Sequence, residues 1–137
     1  MSHHLMDVIV EGKEPPPCDT MIGVEMGEVH GGRAVGIWKP TKEMLNGNGV
    51  IMGGFVSSAA DVVIAYAISS MVNDKQTFAS VNLTVSFHRP ALPGEIMIEA
   101  IVGKFGKTMS YVTAELWQNE KFVASAVSSI LVQEVND

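Results

Sequence analysis

Asp61 is the only charged residue between Met52 and Val72. A carboxylate set in so apolar a run carries a desolvation cost, which raises its pKa and makes it more basic. That combination suits a general base or a nucleophile in acyl chemistry. It equally suits an Asp that is paired locally or turned to solvent, because structural ion pairs also explain isolated helix acids. Eight and seven positions earlier stand Gly53 and Gly54. If a helix begins there, its first turn offers unpaired N–H groups and the positive end of the helix dipole. Without a Cβ, the two glycines let a carbonyl oxygen approach that backbone and gain stabilisation as it becomes an oxyanion. A glycine pair also serves as a plain turn.

The elements that must position these residues follow from the patterning. Val56, Ala59, Ala60, Val63, Ala67 and Met71 recur at helical spacing, and Val62, Ile64, Tyr66 and Ile68 make the other faces apolar as well. Such a helix is wrapped on most sides. Asp61 shares its face with Gly54, Ser57, Ser58 and Ala65, all small, so this stripe fits a substrate slot or a close-packed partner. Before the helix, Gly23–Glu28 and Arg33–Trp38 read as a hairpin turning at His30, Gly31 and Gly32, and Pro40 ends it. Thr41 to Gly49 reads as a short helical turn, then a loop built on Asn46, Gly47, Asn48 and Gly49. After it come four extended runs, Phe78–His88, Glu95–Lys104, Thr108–Gln118 and Lys121–Gln133, with antiparallel order expected from the short breaks between them. Pro15, Pro16 and Pro17 suit neither a helix interior nor a central strand. Residues 1–20 are therefore expected to form an N-terminal arm and residues 21–137 a single domain. The expected class is α+β, a curved antiparallel sheet covering one long central helix.

Composition narrows the function classes. The 137 residues are 47% hydrophobic and 18% charged, the balance of a core-rich domain. A net charge of −6 with only nine Lys and Arg argues against nucleic acid as a partner. Cys18 is the only cysteine, which excludes an intrachain disulfide and a cysteine-based zinc site and fits a cytoplasmic setting. Glycines, serines and Asp61 interrupt the longest apolar stretch, so no membrane span is expected, and the first 17 residues do not have the order of a signal peptide. His30 precedes a strand and reads as a turn residue, and His88 reads as a strand-end polar residue.

Asn46, Gly49, Met52-Gly53-Gly54 and Asp61 together resemble the pattern of the PaaI and 4-hydroxybenzoyl-CoA thioesterases of the hotdog-fold superfamily. Ser80-Val81-Asn82-Leu83, Phe87, Arg89-Pro90, Gly94 and Gly106-Lys107-Thr108 are similar to the same family's later strands and turns, so the resemblance covers roughly Met21 to Val132. It implies a homodimer, further paired as a dimer of dimers, with sites at the subunit interface. Asp61 would be base or nucleophile, Gly53 the N–H donor to the thioester oxygen, Asn46 an orienting group and Ser80 the positioner of water. Asn46 and Gly53 would come from one subunit, Asp61 and Ser80 from the other. Met52 and Gly54 would border the substrate, and Arg89 and Lys107 would meet the CoA phosphates. No metal or separate cofactor is implied, CoA arriving as part of the substrate.

One departure matters. The family usually has His before the two glycines, where this chain has Met52, whose thioether donates no hydrogen bond. The implied activity is hydrolysis of a small-to-medium or aryl acyl-CoA. The rival that Met52 raises is a noncatalytic acyl-CoA-binding protein.

Overall fold

The computed structural model describes residues 4–135. The chain runs α1 (Met6–Glu11), α2 (Pro17–Ile22), β1 (Val24–His30), β2 (Arg33–Trp38), a 3₁₀ turn (Lys42–Met44), α3 (Gly53–Ser69), β3 (Gln76–Ser80), β4 (Thr84–Phe87), β5 (Ile96–Phe105), β6 (Met109–Gln118) and β7 (Lys121–Glu134). The strands form one antiparallel sheet in the order β1-β2-β5-β6-β7-β3, with β4 also paired to β7. Ladder irregularities at Met26/Val29, Val102/Lys104 and Leu116/Trp117 break the register of three strands, and such irregularities bend and twist a sheet. The result is a curved antiparallel sheet curled around α3, the hotdog architecture.

α3 is helical because its only glycines are its first two residues, it contains no proline, and its remaining positions are mostly Ala, Val and Ile. Ten of its side chains are buried, among them Val56, Val63, Ile64 and Ile68, each contributing roughly 1.5–3 kcal/mol by leaving water. What stays open is a single stripe: Gly54 and Asp61 are exposed, and Ser57, Ser58 and Ala65 are partly so. Gly36 on β2 admits the helix closely, since a Cβ there would stand 3.0 Å from Val63 Cγ2. At the far end Ser70 Oγ donates to Ala67 O (2.7 Å) and accepts from Gly32 N–H (2.8 Å), tying the helix to the β1–β2 turn. In that turn His30 is the last residue of β1, paired with Arg33, and Gly31 and Gly32 alone take positive φ.

One expectation needs correction. The run Phe78–His88 is not one strand. β3 and β4 lie end to end along the same edge of β7, from Gln76↔Glu134 to Ser80↔Ile130 and from Thr84↔Val127 to Phe87↔Ala124. Between them Asn82 turns its Oδ1 to Ser129 N–H (3.1 Å) while its carbonyl accepts from Ser128 Oγ (2.8 Å), so a side chain takes a backbone place in the ladder. Five strands, not four, therefore follow α3. Before residue 21, the segment expected as an arm carries α1 and most of α2. Pro17 occupies the first position of α2, where its missing N–H costs nothing. Buried Tyr66 donates to Asp19 Oδ2 (2.6 Å), and the fully buried Trp38 indole donates to Ile22 O (2.9 Å), so α2 is fixed to the core across the expected boundary.

Candidate functional site

The loop before α3 is organised by Asn46. Its Oδ1 accepts from Asn48 N–H (2.9 Å) and Val50 N–H (3.3 Å), and its own N–H donates to Val50 O (2.8 Å). Gly49 follows with φ +78°, a conformation that glycine adopts without strain. Ile51 N–H then donates to Ala91 O (2.8 Å) and Met52 N–H to Met44 O (2.9 Å), which fixes where the helix begins. Asn46 keeps its Nδ2 amide without a partner among the described residues, available to a ligand.

At the helix start, Phe55 and Val56 N–H both donate to Met52 O. No side chain caps the helix and no acid lies in its first turn. Among the described residues, Gly53 and Gly54 N–H therefore have no acceptor, and the dipole's positive end adds to their pull on an anionic oxygen. Ser57 Oγ and Ser58 Oγ donate back to the carbonyls of Gly53 and Gly54, both at 2.9 Å, and hold this turn in place. Met52 is 45% exposed, and its Cε lies against Gly54, 3.1 Å from where a Cβ would stand.

Gly53 opens onto a cavity of about 420 Å³ whose walls include Asn46, Val56, Phe87, Arg89 and Ala124. Gly53, with its free N–H, thus lines a largely apolar hollow, the setting in which a few placed donors orient a ligand. Of the expected site residues, Asn46, Gly53 and Arg89 line this hollow, and Met52 and Gly54 flank it on the helix. Phe87, quoted above only as part of a pattern, proves to be a wall of the cavity with its ring tip on Gly53.

Asp61, Ser80 and Lys107 lie elsewhere in the same chain. Eight residues of helix separate Asp61 from Gly53, about 12 Å along the axis. Asp61 sits on the open stripe with no hydrogen bond or ion pair to another described residue, and desolvation by its surroundings raises its pKa above the ordinary value of 3.8. Ser80 ends the edge strand β3, beside Ile130. The turn carrying Lys107 abuts Val132, whose N–H donates to Thr108 O. On β7, Val132 is eight residues from Ala124 at the cavity, about 26 Å of strand. One copy of the chain therefore cannot bring Asp61 and Gly53 N–H to the same carbonyl group.

The family model of the thioesterase superfamily matches residues 48–123, from the loop before α3 to the start of β7 and more than half of the chain. A Caenorhabditis elegans protein provisionally named an esterase is 39% identical over 72 residues, covering 52% of this chain and 42% of that protein. A Pseudomonas aeruginosa protein, likewise provisionally named an esterase, is 33% identical over 82 residues, covering 59% of this chain and 61% of that one. The matched segment thus spans about half the length of these relatives. Among solved structures, a provisionally assigned thioesterase of Ralstonia eutropha, described as phenylacetic acid degradation-related, superposes with a TM-score of 0.86 at 26% identity, covering 93% of this chain and 98% of its own. The Escherichia coli PaaI protein of the phenylacetic acid degradation operon gives 0.77 at 28% identity, covering 83% and 86%.

Proposed function

The chain belongs to the thioesterase superfamily, and on that premise we propose that it hydrolyses a small-to-medium or aryl acyl-CoA to the free acid and CoA. The observation that carries the reading is Gly53, whose N–H is unbonded among the described residues, in the wall of an apolar hollow. A thioester carbonyl accepting from Gly53 N–H is polarised there, and the oxyanion of the tetrahedral intermediate is held by the same donor. A donor so placed is worth about 10²–10³ in rate.

The reaction needs an activated oxygen nucleophile, and Asp61 supplies it. As base it takes a proton from water, whose hydroxyl oxygen bonds to the carbonyl carbon; as nucleophile its own carboxylate oxygen makes that bond, and water later hydrolyses the anhydride. In either course the carbon–sulfur bond breaks and CoA leaves as thiolate. In this scheme Asp61 and Gly53, about 12 Å apart along α3, serve one substrate from two copies. Asn46 and Gly53 of one subunit would face Asp61 and Ser80 of another in a homodimer, with pairing of dimers as the larger assembly. Arg89, which lines the hollow, would meet the CoA phosphates, and the other subunit would bring Lys107. No metal enters this scheme, and CoA arrives with the substrate.

The test is release of CoA, followed with a thiol reagent over short, medium, long and aryl acyl-CoAs, beside Asp61→Asn. Turnover in the wild type that disappears in the variant supports the reading; equal turnover in both overturns it. Met52 supports one other reading, since its thioether gives the substrate no donor. Saturable binding of acyl-CoA without release of CoA would establish a noncatalytic binding protein instead.

A further inference from the structure

Phe87 is the last residue of β4 and, at 56% exposed, one of the most open large apolar side chains of the sheet. Its ring crosses from the sheet to the first residue of α3. A Cβ built on Gly53 would stand 2.9 Å from Phe87 Cζ, 3.3 Å from Cε1 and 3.4 Å from Cε2. All three atoms belong to the ring's far end, so the tip of the ring rests on the peptide that carries one of the two free N–H groups. The same ring walls the cavity, as does Val56.

From this placement we infer that Phe87 is a specificity-determining residue, the surface against which the first carbons of the acyl group pack. The inference rests on the reading of Gly53 as the carbonyl site. A carbonyl oxygen bound to Gly53 N–H sets its α- and β-carbons within contact distance of a ring that already touches Gly53. An acetyl group has only one such carbon and leaves most of the open ring in water. A longer or aromatic group covers the ring and gains from its burial. The chain therefore discriminates against the shortest acyl groups, and Phe87 is the cause.

The geometry also ranks replacements in an order that chemical similarity does not. Tyrosine would add a hydroxyl at Cζ, the atom closest to Gly53, and so drive an oxygen into the carbonyl site. Leucine keeps apolar surface and leaves that site open.

The experiment compares kcat/KM for phenylacetyl-CoA and acetyl-CoA in wild type, Phe87→Leu, Phe87→Ala and Phe87→Tyr, with melting temperatures alongside. The phenylacetyl-to-acetyl ratio is expected to fall at least about tenfold in Phe87→Ala and less in Phe87→Leu. Phe87→Tyr is expected to lose at least about tenfold on both substrates with its melting unchanged. An unchanged ratio in Phe87→Ala, or in Phe87→Leu should the alanine variant not fold, together with Phe87→Tyr acting like wild type, overturns the inference. If Asp61→Asn is inactive at the same time, the thioesterase reading survives that outcome. If the wild type releases no CoA, the ratio is read as affinity for two ketone thioethers, 3-phenyl-2-oxopropyl-CoA and acetonyl-CoA, which cannot be hydrolysed. The same tenfold collapse in Phe87→Ala supports the inference in a binding protein, and no collapse, or no binding of either probe, overturns it.

Discussion

Replacing Gly53 by Ala separates the helix terminus as a structural element from the helix terminus as a binding site. Gly53 does not lie in the left-handed region, so alanine adopts its backbone conformation without strain. The added methyl would meet the Phe87 ring tip at 2.9 Å, where carbon–carbon contacts prefer about 3.5–4.0 Å, so the ring must withdraw by roughly 0.6–1 Å. The ring is more than half exposed and can swing outward from Cα, so this displacement costs little. Against it stands the helix preference for Ala over Gly, up to about 1 kcal/mol in a helix interior and less at a first position. The two effects oppose each other, and stability should change by less than about 0.5 kcal/mol in either direction.

Activity is expected to behave differently. The N–H remains, but the new methyl occupies the side from which a carbonyl bordered by Phe87 would approach. A displacement of about 1 Å at a reacting group costs on the order of 10²-fold. The assays are urea unfolding and CoA release on the preferred acyl-CoA, run on one preparation. A variant that melts like the wild type and hydrolyses like it would refute the placement of the carbonyl at Gly53. A variant that unfolds far more easily would instead show that the Phe87 ring is not free to move.

Asp61→Asn should stabilise the fold at pH 7, because desolvation raises the Asp61 pKa and so disfavours its ionised form in the native state. In the wild type this group adds stability below its unfolded pKa and loses it as pH rises through the raised native value; the variant's advantage, read from urea midpoints, should therefore vanish below about pH 3.8 and would be refuted by an equal gain at pH 3. Tyr66→Phe removes the 2.6 Å hydrogen bond to buried Asp19 and should cost about 1–3 kcal/mol in urea unfolding, the acyl-CoA profile being preserved; an unchanged midpoint would mean that water replaces the phenol. Mixing unfolded Asp61→Asn and Gly53→Ala chains and refolding them together should restore hydrolysis that neither shows alone, since mixed pairs contain one site with both groups intact; no recovery would place Asp61 and Gly53 in separate functions.

The helix and the start of the site were legible because their signals are local. A run of Ala, Val and Ile that is apolar on most faces can only be covered, and the structure covers it. The four small residues sharing a face with Asp61 mark the stripe that stays open. Gly53, Gly54 and Asn46 announced themselves by type, since few residues serve at a helix start or an Asx-type turn. The rest depends on partners distant in the chain. Nothing in the alternation of Phe78–His88 reveals that Asn82 leaves the ladder, because the residues on both sides pair with the same strand. The six-residue helices α1 and α2 are too short to hold themselves, and what holds α2 are side chains of α3 and β2, the Tyr66 hydroxyl and the Trp38 indole. The role of Phe87 is invisible in the same way, since it consists of one contact between β4 and the first turn of α3.

The length of α3 explains why the acid and the carbonyl donor are displaced along one element. A helix buried on most faces has its polar opportunities only at its ends and along whatever stripe the sheet leaves open. The N-terminus provides donors that no side chain needs to supply, which is why two glycines suffice there. A carboxylate at that same end would compete with the substrate oxygen for those donors and for the dipole, whereas Asp61, about two turns away, does neither. Its place on the open stripe keeps the acid ionisable while surrounding atoms raise its basicity. Under the proposed scheme the arrangement would give separate environments to an anion-holding site and a base, and would need two copies. In the proposed twofold pair that requirement would be symmetric: each helix would lend its first turn to one substrate and its Asp61 to the other.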